Sequence, residues 1–377
     1  MENLHVYGVE FVRWLQQFEL LGSFLSKVSH AGRPLMAYAL LFPAAFYTNP
    51  LVGVITLMST AFSEWLNGIL KWVLHGHRPY WWVILQAEKN GTSAAPLMQF
   101  PETCETGPGS PSGHCMITLT GMVPIVVFLY KGLPNFYREA MLSLFGCFVV
   151  ALGLGRCYLA AHFPHQVVAG IASGLTMGYV FSLFQPSLGD TEQIFGYGPF
   201  GIRQQSNNPF VYLIKHPSFI ALIGVSFFAI ACFLSWCLQT VGGIDVNWSI
   251  ELARRTCQRS EWVQVSTSVM VGMARITGYL IGLALALHVS PPNSLWESNL
   301  GISVILLAVV SLYTASFLES LLRGVIHSTF STWLGGSNYN GPDLLELFSS
   351  VLEATVIPLV TIWLLPAVMR LITSLSV

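Results

Sequence analysis

Apolar stretches long enough to cross a bilayer recur along the whole of this 377-residue chain, and they leave it little choice of fold. They fall near 32–48, 51–70, 115–131, 140–157, 165–185, 216–239, 266–287, 302–322 and 350–373. Pro43 interrupts the first and Glu64 lies within the second, so the limits of both are soft. Backbone polar groups in hydrocarbon must find partners inside the protein, and single apolar segments of this length do so as helices. The expected fold is therefore all-α, a polytopic membrane helical bundle of about nine transmembrane helices. Charged residues are only 9% of the chain, against about 25% in soluble domains. The net charge of -1 and the scattered basic residues exclude a nucleic-acid partner.

One integral membrane domain, 1–377, is expected, with its chemistry in a core over 50–185 and further helices over 216–377. Residues 1–30 carry Val9, Phe11, Val12, Leu15, Phe18, Leu21 and Phe24 at helical spacing, which predicts an interfacial amphipathic helix. No basic start followed by an apolar run and small residues is present, so this is not the pattern of a cleavable signal. The polar stretch 186–215 reads as a cytosolic connector.

Sidedness follows from parity. Asn90-Gly91-Thr92 and Asn247-Trp248-Ser249 are glycosylation sequons, and four expected spans separate their loops, so both lie on one side. A used sequon faces a secretory lumen, and the N-terminus then lies there too. The distribution of basic residues runs against this assignment. Cys104 and Cys257 fall in loops on that same side, where a disulfide is permitted. Two free thiols are the plainer reading of seven cysteines without paired spacing.

Three short islands carry the chemistry. Lys71 and Arg78 are seven residues apart, so on a continuous helix they share a face, and Pro79 ends that helix. They either converge on one anion or reach for the membrane interface, where Trp72, Tyr80, Trp81 and Trp82 predict an aromatic belt. The second island is Gly107-Pro108-Gly109-Ser110-Pro111-Ser112-Gly113-His114, directly before an apolar helix. Ser112 and Gly113 would offer free N–H groups at a helix N-terminus, a ready anion site, with His114 in the first turn. In the third, Arg156 precedes His162 by six residues. Arg can clamp two phosphate oxygens. An attacking imidazole needs its other nitrogen held, which the Gln166 side-chain carbonyl could do. His165 is the alternative nucleophile. Together these residues suit a tetrahedral oxyanion, with one His attacking phosphorus and the other protonating the leaving oxygen, and they require no metal.

Lys71-x6-Arg78-Pro79, Pro111-Ser112-Gly113-His114 and Arg156-x5-His162 resemble the three-part signature of the type-2 phosphatidic acid phosphatase and vanadium haloperoxidase superfamily. The blocks Cys104–His114 and Tyr158–Gln166, with Arg78-Pro79-Tyr80-Trp81-Trp82-Val83, resemble the glucose-6-phosphatase catalytic subunit family. That resemblance implies a multi-pass endoplasmic reticulum protein with a lumenal active site and no cofactor. It implies hydrolysis of glucose 6-phosphate, the terminal step of gluconeogenesis and glycogenolysis, through a phosphohistidine on His162 with His114 as proton donor. Lys71, Arg78, Arg156, Ser112 and Gly113 would hold the phosphate. Inorganic phosphate and vanadate would inhibit, and a glucose-6-phosphate transporter would be the functional partner alongside membrane lipid. A lipid phosphate phosphatase using the same residues is the alternative.

Two positions depart from the superfamily pattern: Gly155 stands where a Ser usually precedes the motif Arg, and Gln166 where an Asp usually follows the nucleophile. The end, Thr373-Ser374-Leu375-Ser376-Val377, has no dilysine signal, so retention rests on the resemblance. Elsewhere, Glu64 shares the face of Lys71, Arg275 suggests a pathway or pocket role, and Glu319 and Arg323 predict an intrahelical ion pair.

Overall fold

A computed structural model describes residues 2–93, 95–185, 208–289, 304–334 and 342–375. Among these all regular secondary structure is helical, and the one β-type contact is an isolated bridge between Glu105 and Gln264. Helices α1 (Glu2–Leu15) and α2 (Glu19–Ala31) lead into α3 (Pro34–Thr48), which contains a π turn at Ala37–Leu41. Then come α4 (Pro50–Leu74), α5 (Pro79–Lys89), α6 (Gly113–Gly132), α7 (Asn135–Tyr158) and α8 (Pro164–Ser182). The second half holds α9 (Pro209–Lys215), α10 (Ser218–Thr240), α11 (Trp248–Thr256), α12 (Val269–Val289), α13 (Val304–Leu334), α14 (Leu344–Leu359) and α15 (Leu365–Leu375).

Each apolar stretch expected from the sequence coincides with a helix. Among the described residues six helices are long and apolar enough to cross a membrane: α6, α7, α10, α12, α13 up to Phe330, and the continuous run Leu344–Ile372; α3 is apolar but shorter. Polar residues concentrate on α4, where Thr56, Ser59, Thr60, Ser63, Glu64, Asn67 and Lys71 are all buried. A helix surrounded by protein can carry polar groups that lipid would not tolerate. α4 packs against α6 and α12, which places its polar face at the centre of the bundle.

Close helix contacts are made by small residues. On α8, Gly170, Gly174 and Gly178 form a stripe facing α6, where an added Cβ would meet Ser112 O, Met116 O and Val123 Cβ, each at 2.6 Å. Such stripes let helix backbones approach where hydrophobic exclusion cannot drive association.

The N-terminal region differs from expectation. It forms two helices, not one, and both dock on the bundle: α1 on α5, α7 and α8, and α2 on α7. Val9, Val12 and Leu15 enter a core with Tyr80, Trp81 and Phe163, while Phe18, Leu21 and Phe24 stay exposed. The aromatic belt is likewise internal, since Trp72, Tyr80 and Trp81 are fully buried in protein. Residues 186–207 of the expected connector lie outside the described residues, and its end is helix α9. Arg323 does not pair within its helix; its guanidinium grips both oxygens of Glu353 on α14, at 2.7 to 3.2 Å. A bidentate partner on the neighbouring helix outcompetes the single contact available along α13.

Candidate active site

Loops from the two halves of the chain meet at one end of the bundle. Cys104 and Cys257 form a disulfide, so the first of the two readings left open by the sequence, not the plainer one, holds. Next to it, Gln264 N donates to Cys104 O at 3.0 Å and Thr106 N to Thr267 Oγ1 at 2.9 Å. The segment 104–106 is thereby pinned to the stretch preceding α12.

α4 ends at Leu74 in a left-handed His75 (φ 46°), followed by Gly76, so the helix stops before Arg78. Pro79 starts α5 instead of ending α4, because the first helical position needs no N–H. Lys71 and Arg78 therefore do not share one helix face. Arg78, extended and wholly buried, points back into the protein: its Nε donates to Gly107 O at 2.7 Å and its Nη1 to Ala161 O at 3.1 Å.

Arg156 lies in the last turn of α7, also wholly buried, and its Nη1 donates to Ser29 Oγ at 3.1 Å. Gly155 makes this possible, since a Cβ there would meet Leu25 O at 2.6 Å and hold α2 away. A hydroxyl thus reaches Arg156 from α2, across 127 residues of chain.

The turn after α7, with Ala160 left-handed (φ 50°), carries His162 inward. Its Nδ1 lies 2.8 Å from Gly109 O. A carbonyl oxygen only accepts, so Nδ1 carries the hydrogen and Nε2 presents the lone pair. The orienting group is therefore this backbone carbonyl and not Gln166. Gln166 is occupied elsewhere: its Oε1 accepts from Phe163 N at 3.1 Å and its Nε2 donates to His77 O at 2.7 Å. His165 stacks on Phe163 and lies tilted against His5.

Ser112 caps α6, but its N–H donates to Gln166 O at 3.1 Å and is not open to a ligand. Gly113, His114 and Lys71 line a cavity of about 240 Å³ beside the arginines. Asn67 ties the turn to α4 through Pro111 O at 3.2 Å.

At the centre stands a residue that the sequence did not single out. Glu105 Oε2 accepts from Arg78 Nη1 at 2.9 Å, and Oε1 pairs directly with Arg156 Nη2. His114 Nδ1 lies 3.7 Å from Oε1 and His162 Nε2 3.9 Å from Oε2. Burial alone would raise the Glu105 carboxyl, but Arg156, Arg78 and the two imidazoles outweigh it and hold it well below the usual range. Burial, then Arg78 and Arg156, push His162 well down, so its imidazole stays neutral. Burial likewise lowers Arg78. Glu105 and Ser29 had no local signal: one acid in a Gly/Pro-rich loop and one Ser in an amphipathic helix.

Arg275 reaches from α12 to Glu64 on α4 at 2.6 Å, and Tyr38 OH donates to the other Glu64 oxygen at 2.9 Å. Glu64 therefore steadies Arg275, not Lys71. The pair lines the cavity at the end away from the arginine cluster.

The PAP2 superfamily profile matches residues 52–190. The chain is 36% identical over 282 residues to human glucose-6-phosphatase 3, covering 73% of this chain and 71% of that protein. It is 35% identical over 300 residues to the bovine glucose-6-phosphatase catalytic subunit 1, covering 77% of each. This chain belongs to the glucose-6-phosphatase family. No solved structure matches it. Membership in this family makes it a multi-pass membrane phosphatase, and the superfamily match takes in Lys71, Arg78, His114, Arg156 and His162.

Proposed function

We propose that this protein hydrolyses glucose 6-phosphate to glucose and phosphate at the lumenal face of the endoplasmic reticulum membrane, through a phosphohistidine on His162. The observation that carries this reading is the convergence of two buried guanidiniums on a single carboxylate, with two imidazoles within 3.7 and 3.9 Å of it. Groups that gather around one anion are a seat for another, and a phosphoryl group fits the same donors.

In the proposed reaction Arg78 and Arg156 neutralise the phosphoryl oxygens, and Lys71 adds charge from the cavity side. Nε2 of His162 attacks phosphorus as the bond to the sugar oxygen breaks. His114, on the cavity wall, gives its proton to that oxygen, and glucose leaves. Water then attacks the phosphohistidine, His114 takes up its proton, and phosphate departs.

The cavity supports a sugar over an acyl chain. Lys71, Asn67 and Glu64 lie along one face of α4, and at 1.5 Å per residue the seven positions from Lys71 to Glu64 span about 10 Å. That is close to the length of a hexose phosphate. The Glu64–Arg275 pair lies on the wall at the far end, which suits hydroxyl groups and disfavours a hydrocarbon tail. The Cys104–Cys257 disulfide at the site end supports an oxidising compartment on that side. The remaining features of the reading are about nine crossings, a lumenal N-terminus, and reliance on a transporter to deliver substrate.

The test is a substrate panel on purified protein with glucose 6-phosphate, glycerol phosphate and lysophosphatidate. Preference for the sugar phosphate is expected, and preference for the lipid would transfer the site to the alternative reading. His162→Ala should abolish turnover together with the labelled phosphoenzyme. Turnover that survives in this variant removes the mechanism.

A further inference from the structure

The chemistry just described requires Nε2 of His162 to meet phosphorus, yet Glu105 stands between them. The cavity wall is formed by Lys71, Gly113, His114 and Glu105, whereas Arg78, Arg156 and His162 are fully buried behind it. Both Glu105 oxygens are engaged by Arg78 and Arg156, the guanidiniums assigned to the phosphoryl group, and the two imidazoles lie beside them at 3.7 and 3.9 Å. Two anions cannot share these donors at such distances in a buried setting, where charges are little screened.

We propose that Glu105 is a resident counter-anion of the phosphate seat, and that the substrate's phosphoryl group must displace it before His162 can act. The proposal rests on the reading of this site as a phosphate seat. Such a carboxylate has a clear physical duty: it keeps two buried guanidiniums paired, a condition that buried charges require.

The exchange is a rotation of one side chain, because the Glu105 backbone is held on every side. Its N–H donates to Thr103 O at 2.9 Å and its carbonyl accepts from Tyr80 OH at 3.1 Å. The adjoining Cys104 is disulfide-bonded, and Thr106 is tied to Thr267. The carboxylate can swing into the cavity, where Lys71 offers positive charge on the wall; Arg33 there is paired with Glu102 at 3.4 Å.

The donor inventory favours exchange in this direction. Arg156 Nε is buried and has no hydrogen-bond partner among the described residues, so a carboxylate leaves the cluster incompletely satisfied. A phosphoryl group brings three terminal oxygens where a carboxylate brings two, and can reach donors that Glu105 cannot. Singly charged anions with fewer acceptors should displace Glu105 poorly, which would make the residue a filter for phosphate esters.

The experiment is vanadate inhibition of full-length Glu105→Gln beside the wild type. Loss of the competing charge should tighten vanadate and inorganic phosphate by about tenfold or more. A merely structural role for Glu105 predicts the opposite, and unchanged or weakened binding in the variant overturns the proposal. A structure of the wild type with vanadate decides independently, and suffices if the variant does not fold. Glu105 should be rotated off Arg156 with vanadate in its place; a carboxylate still bridging Arg78 and Arg156 would end the idea. The two readings fail separately. Wild type that binds no vanadate loses the phosphate seat itself, whereas tight vanadate binding with Glu105 unmoved leaves the seat and removes only the exchange.

Discussion

Arg156 divides its two terminal nitrogens between partners that arrive from opposite directions, Glu105 at the site and Ser29 on α2. The Ser29 contact fixes the guanidinium plane, so anion binding should depend on a hydroxyl far from the signature motifs. Ser29→Ala leaves a buried charged donor unmet, at a cost of about 1–3 kcal/mol. The expected result is weaker vanadate inhibition and a higher KM, with the protein still folded by thermal melt. Unchanged inhibition would mean that Arg156 is held by other contacts. This residue also marks where sequence reading stopped. Lys71, Arg78, His114, Arg156 and His162 could be picked out because their residue types suit one anion, although the seven-residue spacing of Lys71 and Arg78 did not mean a shared helix face. Ser29, Glu105 and the Gly109 carbonyl were not, because no local pattern links 29, 105, 109 and 156 before the chain folds. Gln166 was misread for a related reason. It sits at a plausible spacing from His162, but the turn at Ala160 reorients the histidine and Gln166 clamps Phe163 N and His77 O instead.

Helix positions were readable because lipid demands long apolar runs, whereas helix ends and docking partners depend on local turn chemistry and tertiary fit. α1 illustrates the second case. His5 projects from it onto the Phe163 ring, with centroids 4.5 Å apart, and is buried beside His165 and His77. Burial first, then those two imidazoles, lower His5 from 6.5 to about 4. Between these pH values the unfolded chain binds a proton that the folded chain refuses, so stability falls as pH drops through that window. His5→Phe should flatten this part of the thermal-stability profile while keeping the stacking. An unchanged slope would show that α1 docking does not depend on the charge of His5. The 104–106 and 257–267 segments provide a second element-level test. The disulfide closes a loop of 153 residues, and Cys257→Ser should cost about 2–5 kcal/mol of stability. Reductant should lower the melting temperature of the wild type to near that of the variant and leave the variant unaffected. Equal sensitivity in both would place the effect on another thiol.

At the scale of the whole molecule, everything chemical gathers at one end of the bundle. Arg255 on α11 pairs with Glu88 on α5, Gln99 Nε2 donates to Thr256 O at 3.2 Å, and Trp248 packs edge-on against Trp81. These contacts join the loops that carry both sequons to the loops that carry the site, so the shared side inferred from parity has a physical counterpart. The end of α1 belongs there too, since Gln16 Nε2 donates to Tyr158 O at 2.8 Å and to Met98 O at 3.0 Å. The two sequons are not equivalent. Asn90 is exposed just past α5, while Asn247 is half-buried at the start of α11, where its carbonyl accepts from Ile250 N at 2.8 Å. If this end faces a secretory lumen, Asn90 is the residue open to a glycan. Protein expressed in a secretory-competent cell should lose mass on endoglycosidase treatment, Asn90→Gln should abolish that loss, and Asn247→Gln should preserve it. Wild-type protein with no glycan, together with labelling of an Asn90→Cys variant only from the cytosolic side, would turn the bundle over and put the phosphate seat in the cytosol.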